Sequence, residues 1–265
     1  METEAVNHSE QEIAELESEV RSAPVPKHIA IIMDGNRRFA KEFLGKPVSE
    51  GHRMGKDTLN DVVHWCHGLD IRCLTVYAFS VENFSRDPDE VEFLMEFMAE
   101  NLRLSADDKQ VEENRVGIRV IGDRTLLPDY VKEAVDYAET KTRDYNDFTL
   151  CIAMAYGGRQ EITSAVRSIA EKAVSGEIST EDIDMDMVSS ELYTGSIPDP
   201  DLIIRTSGEL RVSNFILWQM AYSELYFTDV PWPTFSYYDF LLAVREYQGR
   251  KRRYGKRSHS ATRPM

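Results

Sequence analysis

Apolar residues fall in short unbroken runs that alternate with longer segments of helical spacing, and this alternation persists along most of the chain. Runs at 28–33, 73–79, 117–122, 149–155, 201–206 and 221–227 have strand length and are rich in Ile, Val, Leu, Cys and Ala. Such runs fit strands covered on both faces. Between them, helical spacing predicts helices from about 36, from 52 (with Met54, Leu59, Val62, Val63 and Cys66 along one stripe), and over 87–104, 128–145, 160–175, 182–192 and 236–250. Strands alternating with helices predict an α/β fold, a mostly parallel sheet with helices on both faces. Ahead of it, Ile13, Leu16 and Val20 are spaced for a short amphipathic helix that Pro24 and Pro26 stop. A loosely docked helix and a frayed terminus both fit that stretch.

The strand-like runs share a second property: they end in polar residues. The first stops at Asp34-Gly35-Asn36-Arg37-Arg38, the second at Ser80, Glu82, Asn83 and Arg86, the fourth at Tyr156-Gly157-Gly158-Arg159. The fifth ends in the densest polar cluster of the chain, Arg205, Ser207, Gly208, Glu209, Arg211, Ser213 and Asn214. In open α/β sheets ligands bind at the carboxyl ends of the strands. Arginines with interleaved hydroxyls suit phosphate or diphosphate, because guanidinium offers paired donors to its oxygens. Asp34 is the odd member of that seat. Either it caps the helix that follows, or a hard cation such as Mg²⁺ lies between it and the anion. His52, at the expected start of its helix, reads as a surface or capping residue on position alone. The helix from Asp87 carries more apolar surface than a one-sided helix needs, with Val91, Phe93, Leu94, Met95, Phe97, Met98 and Leu102. Core packing on two sides is the default reading, and lining an apolar cavity is the alternative. Glu224, in the aromatic setting of the last run, requires a cation or donor partner.

Composition removes several function classes. With 46 acidic against 31 basic residues the net charge is −15, which argues against a nucleic-acid-binding surface. Cys66, Cys73 and Cys151 are widely spaced within apolar stretches, so core packing in a reducing compartment fits better than a metal site or disulfides. No apolar run has the length of a membrane span and no signal peptide opens the chain, so the expected location is the cytoplasm. Neither a Walker A motif nor a dinucleotide fingerprint is present. What remains is an anionic ligand, with Mg²⁺, beside a possible apolar cavity.

The ordered motifs resemble the cis-prenyltransferases, the family of undecaprenyl and dehydrodolichyl diphosphate synthases, in an archaeal-type form. They are His28 through Ala40, Gly51-His52, Tyr77 through Phe84, Ile121-Gly122-Asp123, Tyr156 through Arg159, Arg205 through Glu209 and Leu225-Tyr226-Phe227. The resemblance covers about 26–255 and implies one catalytic domain over 25–255, between an acidic extension (1–24) and a basic tail (256–265). It also implies a six-stranded, mostly parallel sheet flanked by helices, an apolar tunnel, a homodimer, and contact with a membrane surface when product leaves. The implied reaction joins isopentenyl diphosphate to an allylic prenyl diphosphate with Mg²⁺ as cofactor, and the implied use of the product is as a glycan-carrier lipid precursor. Alternatives within the family are a non-catalytic partner subunit, or a different acceptor or joining geometry.

By resemblance, Asp34 is the Mg²⁺-associated carboxylate. Gly35, Asn36, Arg37, Arg38, Phe39, Phe84 and Arg86 belong to the allylic site. His52, Ser80 and Asn83 assist condensation. Arg205, Arg211 and Ser213 hold isopentenyl diphosphate, Glu224 is tied to the metal and that site, and Arg253 and Gly255 reach diphosphate from the tail. Phe148 matches a position at the tunnel floor. Val48 departs from the pattern where many relatives carry an arginine, and Arg37 or Lys46 is expected to compensate. Leu210 also stands where the bacterial enzyme has histidine.

Overall fold

The structure, a computed structural model, describes residues 8–195 and 197–250. Strands β1 (His28–Ile32), β2 (Cys73–Ser80), β3 (Val116–Ile121), β4 (Phe148–Tyr156), β5 (Leu202–Arg205) and β6 (Glu224–Phe227) form one sheet in the order β3-β4-β2-β1-β5-β6. Every pairing in it is parallel. The helices are α1 (Glu10–Arg21), the single turn α2 (Asn36–Arg38), α3 (Val48–Gly68), α4 (Pro88–Asp107), α5 (Lys109–Glu113), α6 (Asp129–Lys141), α7 (Gly158–Val174), α8 (Met185–Glu191) and α9 (Tyr237–Gly249).

The expected strands all form, and the six-stranded α/β architecture is the observed one. Two helix bounds differ. The helix expected from 52 starts earlier, at Val48, directly after Pro47, whose φ of −56° is fixed by its ring. His52 therefore lies one turn inside the helix. Helix α6 ends at Lys141, and the chain down to Asp147 is a turn held by Thr142 and Arg115 backbone groups.

Alternation along β1 explains the two-faced core. Ile29 and Ile31 pack with Leu74, Val76, Leu150 and Ile204 beneath α3 and α9, whereas Ala30 and Ile32 face Cys151, Ala153, Ile203 and Phe215 on the other side. A further cluster joins α4 and α6 over β3 through Leu94, Met95, Leu102, Ile118 and Val131. The three cysteines are buried and unpaired, and burial pushes their thiols up. The N-terminal segment is a capped helix packed on α9. Leu16 and Val20 are buried, and Gln248 donates to the Val20 and Ala23 carbonyls at 2.8 and 3.0 Å. No helix of the described residues is long and apolar enough to cross a membrane.

At the amino ends of the strands, opposite the polar clusters, His28 is buried. Its Nδ1 donates to the Pro198 carbonyl at 2.6 Å, which leaves Nε2 to accept from the Thr75 hydroxyl at 2.8 Å. A neutral imidazole satisfies both contacts, and burial pulls its pKa down to about 4. His28 thus contributes stability that is present above about pH 6.5 and is lost as pH falls toward 4, up to roughly 3 kcal/mol. We expect His28→Asn to be destabilised at pH 7.5 in urea unfolding, with the gap to wild type narrowing by pH 5. A constant gap would show that the imidazole is not held neutral.

Candidate active site

The site begins where β1 ends. Asp34 follows the strand, and the next peptide turns sharply at Gly35, whose φ is +106°. A Cβ at Gly35 would lie 2.7 Å from Ser207 Oγ and 3.2 Å from Pro231 Cα, so only glycine fits the turn. The Asp34 backbone is fixed from two sides. The Thr206 hydroxyl accepts from its N–H at 2.9 Å and donates to its carbonyl at 2.8 Å. The Trp232 N–H also donates to that carbonyl, at 3.0 Å. The Trp232 indole Nε1–H meanwhile donates to the Gly55 carbonyl on α3 at 2.7 Å.

Parallel register sets the main charge contact. Ile32 pairs with Arg205, so Arg205 ends β5 beside Asp34 and donates to Asp34 Oδ2 at 2.8 Å. Arg205 is only 4% exposed, and its Nε is buried with no partner among the described residues. Its other arm donates to the Arg211 carbonyl and to Ser213 Oγ, the latter at 2.7 Å. Arg38 donates to the carbonyl and the hydroxyl of Ser207, the former at 2.9 Å. Across the site Glu90, at the start of α4, takes Arg86 at 3.0 Å and Arg37 at 3.5 Å. Arg211 pairs with Glu209.

These groups open into one cavity of about 680 Å³. It is lined by Asp34, Gly35, Asn36, Arg37, Arg38, His52, Ser80, Asn83, Arg86, Arg205, Arg211 and Ser213, together with Tyr77, Glu82 and Asn214. The turn after β2 is closed on itself, since the Ser80 N–H donates to Asn83 Oδ1 at 2.9 Å. A second, apolar pocket of about 150 Å³ adjoins it and shares Met33, Asn36, His52, Ala78 and Leu94. Its floor is Val76, Leu150, Ile152 and Met154 of the sheet. Its walls are Leu59 and Val63 of α3 and Phe97, Met98 and Leu102 of α4. Helix α4 therefore does both things expected of it, packing on α6 with one side and lining a cavity with the other.

His52 stands at the junction of the two pockets, not on the surface. Burial pulls its pKa down to about 4, and the neighbouring Arg86 cation acts in the same direction. It is a neutral imidazole whose Nε2 is buried with no partner among the described residues. Asn36 Oδ1, at the same junction, is likewise unpartnered.

Residues 32–255 match the family model for undecaprenyl diphosphate synthase. The chain belongs to that family. It is 51% identical over 243 residues to the tritrans,polycis-undecaprenyl-diphosphate synthase (geranylgeranyl-diphosphate specific) of Methanocaldococcus jannaschii, covering 91% of this chain and 86% of that protein. Identity to the synthase of the same name from Pyrococcus horikoshii is 50%, covering 89% of each. Among solved structures, lavandulyl diphosphate synthase from Lavandula x intermedia in complex with dimethylallyl diphosphate has a TM-score of 0.84 at 38% identity. It covers 90% of this chain and all of that one. A probable undecaprenyl diphosphate synthase from Campylobacter jejuni has a TM-score of 0.72 at 30% identity, covering 88% of this chain and all of that one.

Several residues expected in a prenyltransferase site of this family lie elsewhere. Phe39 stacks on Phe43 and Phe84 meets Phe79 edge-on, and neither lines the cavity. Glu224 starts β6 beside Leu202, at the far end of β5 from Arg205, and pairs with Arg250 at 2.9 Å. It has the cation partner its surroundings require, but within one chain it is not beside Asp34. Phe148 is fully buried one rung below Leu150 on the sheet face that floors the apolar pocket. Arg253 and Gly255 lie outside the described residues. Of the two cations expected to offset Val48, Arg37 lines the cavity, whereas Lys46 pairs with Glu50 at 3.7 Å away from it.

The sequence reading missed Glu90, Trp232 and Glu161. Glu161 is fully buried and accepts from the Tyr156 hydroxyl (2.5 Å), Gln219 (3.1 Å) and the Tyr193 N–H (3.0 Å), and burial raises its pKa. It braces the start of α7 against the segment that follows Ser213. For a metal, the described residues hold no group of three His, Cys, Asp or Glu side chains. Asp34, with 36% of its side chain exposed, offers the hard oxygen that Mg²⁺ takes when substrate phosphates and water complete its shell. The donor set fits that ion.

Two glycines let α3 approach the Asp34 turn. A Cβ at Gly51 would sit 2.1 Å from the Asn36 carbonyl oxygen, and one at Gly55 would sit 2.4 Å from Asn36 Oδ1 and 2.9 Å from Trp232 Cδ1. At Gly68, on the same helix, nothing lies within 4 Å. We expect Gly51→Ala to cost about 1–3 kcal/mol by overpacking against backbone, and Gly68→Ala to be neutral or to gain up to about 1 kcal/mol. Urea midpoints of the two variants decide, and equal midpoints would contradict the close packing.

Proposed function

We propose that the protein condenses isopentenyl diphosphate with an allylic prenyl diphosphate, releasing pyrophosphate and forming a cis-polyprenyl diphosphate. The observation that carries this is one polar cavity, walled by five arginines, that shares its inner boundary with an apolar pocket. One ligand end must be a diphosphate and the other a hydrocarbon. The relatives named as geranylgeranyl-diphosphate specific make that primer the one to test first. Retention of Asp34 and of both arginine groups supports a catalytic chain over a non-catalytic partner subunit.

The chemistry follows from charge. The allylic C–O bond breaks with its electron pair leaving on diphosphate, the double bond of isopentenyl diphosphate attacks the allylic carbon, and a proton is lost to give the new double bond. Arg37, Arg38 and Arg86 hold the departing diphosphate, and pre-placed cations there stabilise charge as it develops. Arg205, Arg211 and Ser213 hold the second diphosphate, and the Nε of Arg205, buried with no partner among the described residues, is a donor for it. Asp34 would hold Mg²⁺, which would supply further neutralisation of diphosphate charge when bound. Neutral His52 offers an acceptor nitrogen beside the reacting carbons. Assembly as a homodimer and contact with a membrane surface for product release belong to the same proposal.

A second reading, with a different acceptor or joining geometry, rests on Val48 and on the likeness to lavandulyl diphosphate synthase. Product masses separate the two.

Purified protein with Mg²⁺, geranylgeranyl or farnesyl diphosphate and labelled isopentenyl diphosphate should yield a ladder of extended products. Failure to extend any primer would remove the assignment. Asp34→Ala should abolish turnover, by at least about 10²-fold as for other lost charge-stabilising groups, while circular dichroism stays that of the wild type. Phe148→Ala opens space directly below the pocket floor and should lengthen the products. Because it also empties a core site, at about 3–5 kcal/mol, products are compared at a temperature where the variant is folded. An unchanged length distribution would discard Phe148 as the floor.

A further inference from the structure

We infer that Asn214 is a positioning residue that presents the Arg205, Arg211 and Ser213 seat in binding-ready form by clamping it to the opposite wall of the cavity. The inference deepens the functional reading above and rests on it for the identity of the second substrate.

The seat needs a clamp because its backbone is strained. Ser207, Ser213, Asn214 and Ile216 all have positive φ, at 75°, 47°, 63° and 34°. Non-glycine residues hold such conformations only where their surroundings over-determine them. Asn214 tolerates the left-handed region better than most residues, and its hydrogen bonds supply that over-determination. Its carbonyl accepts from the Gly158 N–H at 2.7 Å and its Oδ1 accepts from the Arg159 N–H at 2.9 Å. Helix α7 has no side-chain cap of its own at Gly157. The loop thus caps a helix whose Arg159 lies 55 residues earlier in the chain.

The other end of the same side chain reaches across the site. Asn214 Nδ2 donates to Gln160 Oε1 at 3.0 Å and to Glu82 Oε1 at 3.1 Å. Glu82 lies in the turn that carries Asn83 and leads to Arg86. Ser213, the preceding residue, accepts from Arg205 at Oγ, and its carbonyl lies 3.4 Å from the Tyr77 hydroxyl on β2. One amide therefore ties the anion seat at the end of β5 to the helix after β4 and to the turn after β2. Without it, nothing among the described side chains bridges Glu82 to the Ser213 segment, and the seat must be ordered when its ligand binds. Ordering on binding weakens affinity and leaves the chemical step largely untouched.

Two substitutions separate the parts of this role. Asn214→Gly keeps the left-handed backbone and removes all side-chain bonds. Asn214→Asp keeps that backbone and the Oδ1 cap to Arg159, and puts an acceptor where Nδ2 donates to Glu82 and Gln160. Steady-state kinetics on the full chain should show KM for isopentenyl diphosphate raised about tenfold in Asn214→Gly. The allylic KM should move less than twofold, kcat less than threefold, and the melting temperature should hold. Asn214→Asp should show a rise at least as large, and adding Glu82→Ala to Asn214→Gly should raise KM no further than the larger single change. Wild-type KM values in Asn214→Gly, or in Asn214→Asp, would overturn the clamp. So would an additive double variant, or a parallel shift of kcat and both KM values with a lowered melting temperature. Should the wild type neither bind nor turn over isopentenyl diphosphate, the functional reading fails on its own. Calorimetric titration of inorganic pyrophosphate then reads the seat directly: about tenfold weaker binding in Asn214→Gly upholds the clamp, and equal affinity overturns it.

Discussion

Arg205 carries a charge into the interior, and Asp34 is the carboxylate that answers it. The pair exists because β1 and β5 are adjacent parallel strands whose register sets Ile32 beside Arg205, so both side chains leave the sheet at one edge. Only Arg205 is buried and Asp34 is partly exposed, so losing the carboxylate strands a buried charge at a cost below the roughly 3–5 kcal/mol of a fully buried pair. Thr206 locks the Asp34 peptide, Trp232 backs it, and Ser207 orders Arg38. The geometry of the whole polar cavity therefore descends from the strand order, with Asp34 Oδ2 accepting from Arg205 while Oδ1 accepts from the Gly35 N–H at 2.8 Å.

The same sheet produces the hydrocarbon side of the site. On the face beneath α3 and α4 the residues near the carboxyl ends of β2 and β4 are small or flexible, Ala78 and Met154, and the helices do not fill the space above them. Indole and asparagine meet there. Trp232 and Asn36 both press against Gly55, so a methyl group there would collide with both. His52, one turn along α3 from Val48, stands where the two pockets meet and is neutral because it is buried.

The features legible in the sequence were those with short range. Six apolar runs, their polar ends and the excess apolar surface of α4 all follow from residues within a dozen positions of one another, and the structure carries each of them. What escaped notice is long range. Trp232 contacts Gly55 across 177 residues, Glu161 contacts Gln219 across 58, and Asn214 contacts Glu82 across 132. Local periodicity holds no record of such pairs. Glu90 escaped for a different reason: an acidic residue in the first turn of a helix is so favourable on its own account that nothing marks it as the tether of two arginines. Asp34 was undecidable from its own stretch, as cap or metal-associated carboxylate, and its contact with Arg205 shows a third role that neither reading contained.

Charge balance across the cavity gives Val48 its meaning. Arg37, Arg38, Arg86, Arg205 and Arg211 line the space, and Asp34, Glu82, Glu90 and Glu209 stand on or directly behind its wall, which leaves one net positive charge. Each of the five guanidinium groups is already held by a carboxylate, a carbonyl or a hydroxyl, so the positive charges are aimed before any ligand arrives. That arrangement lowers reorganisation at the moment charge develops, but it leaves too little net charge to neutralise two diphosphates. An arginine in place of Val48 would add charge at the start of α3. Without it, the reaction proposed above would lean more heavily on a cation held at Asp34, and on Arg37, whose tether to Glu90 at 3.5 Å is the longer of the two that carboxylate makes and the easier to release to a ligand.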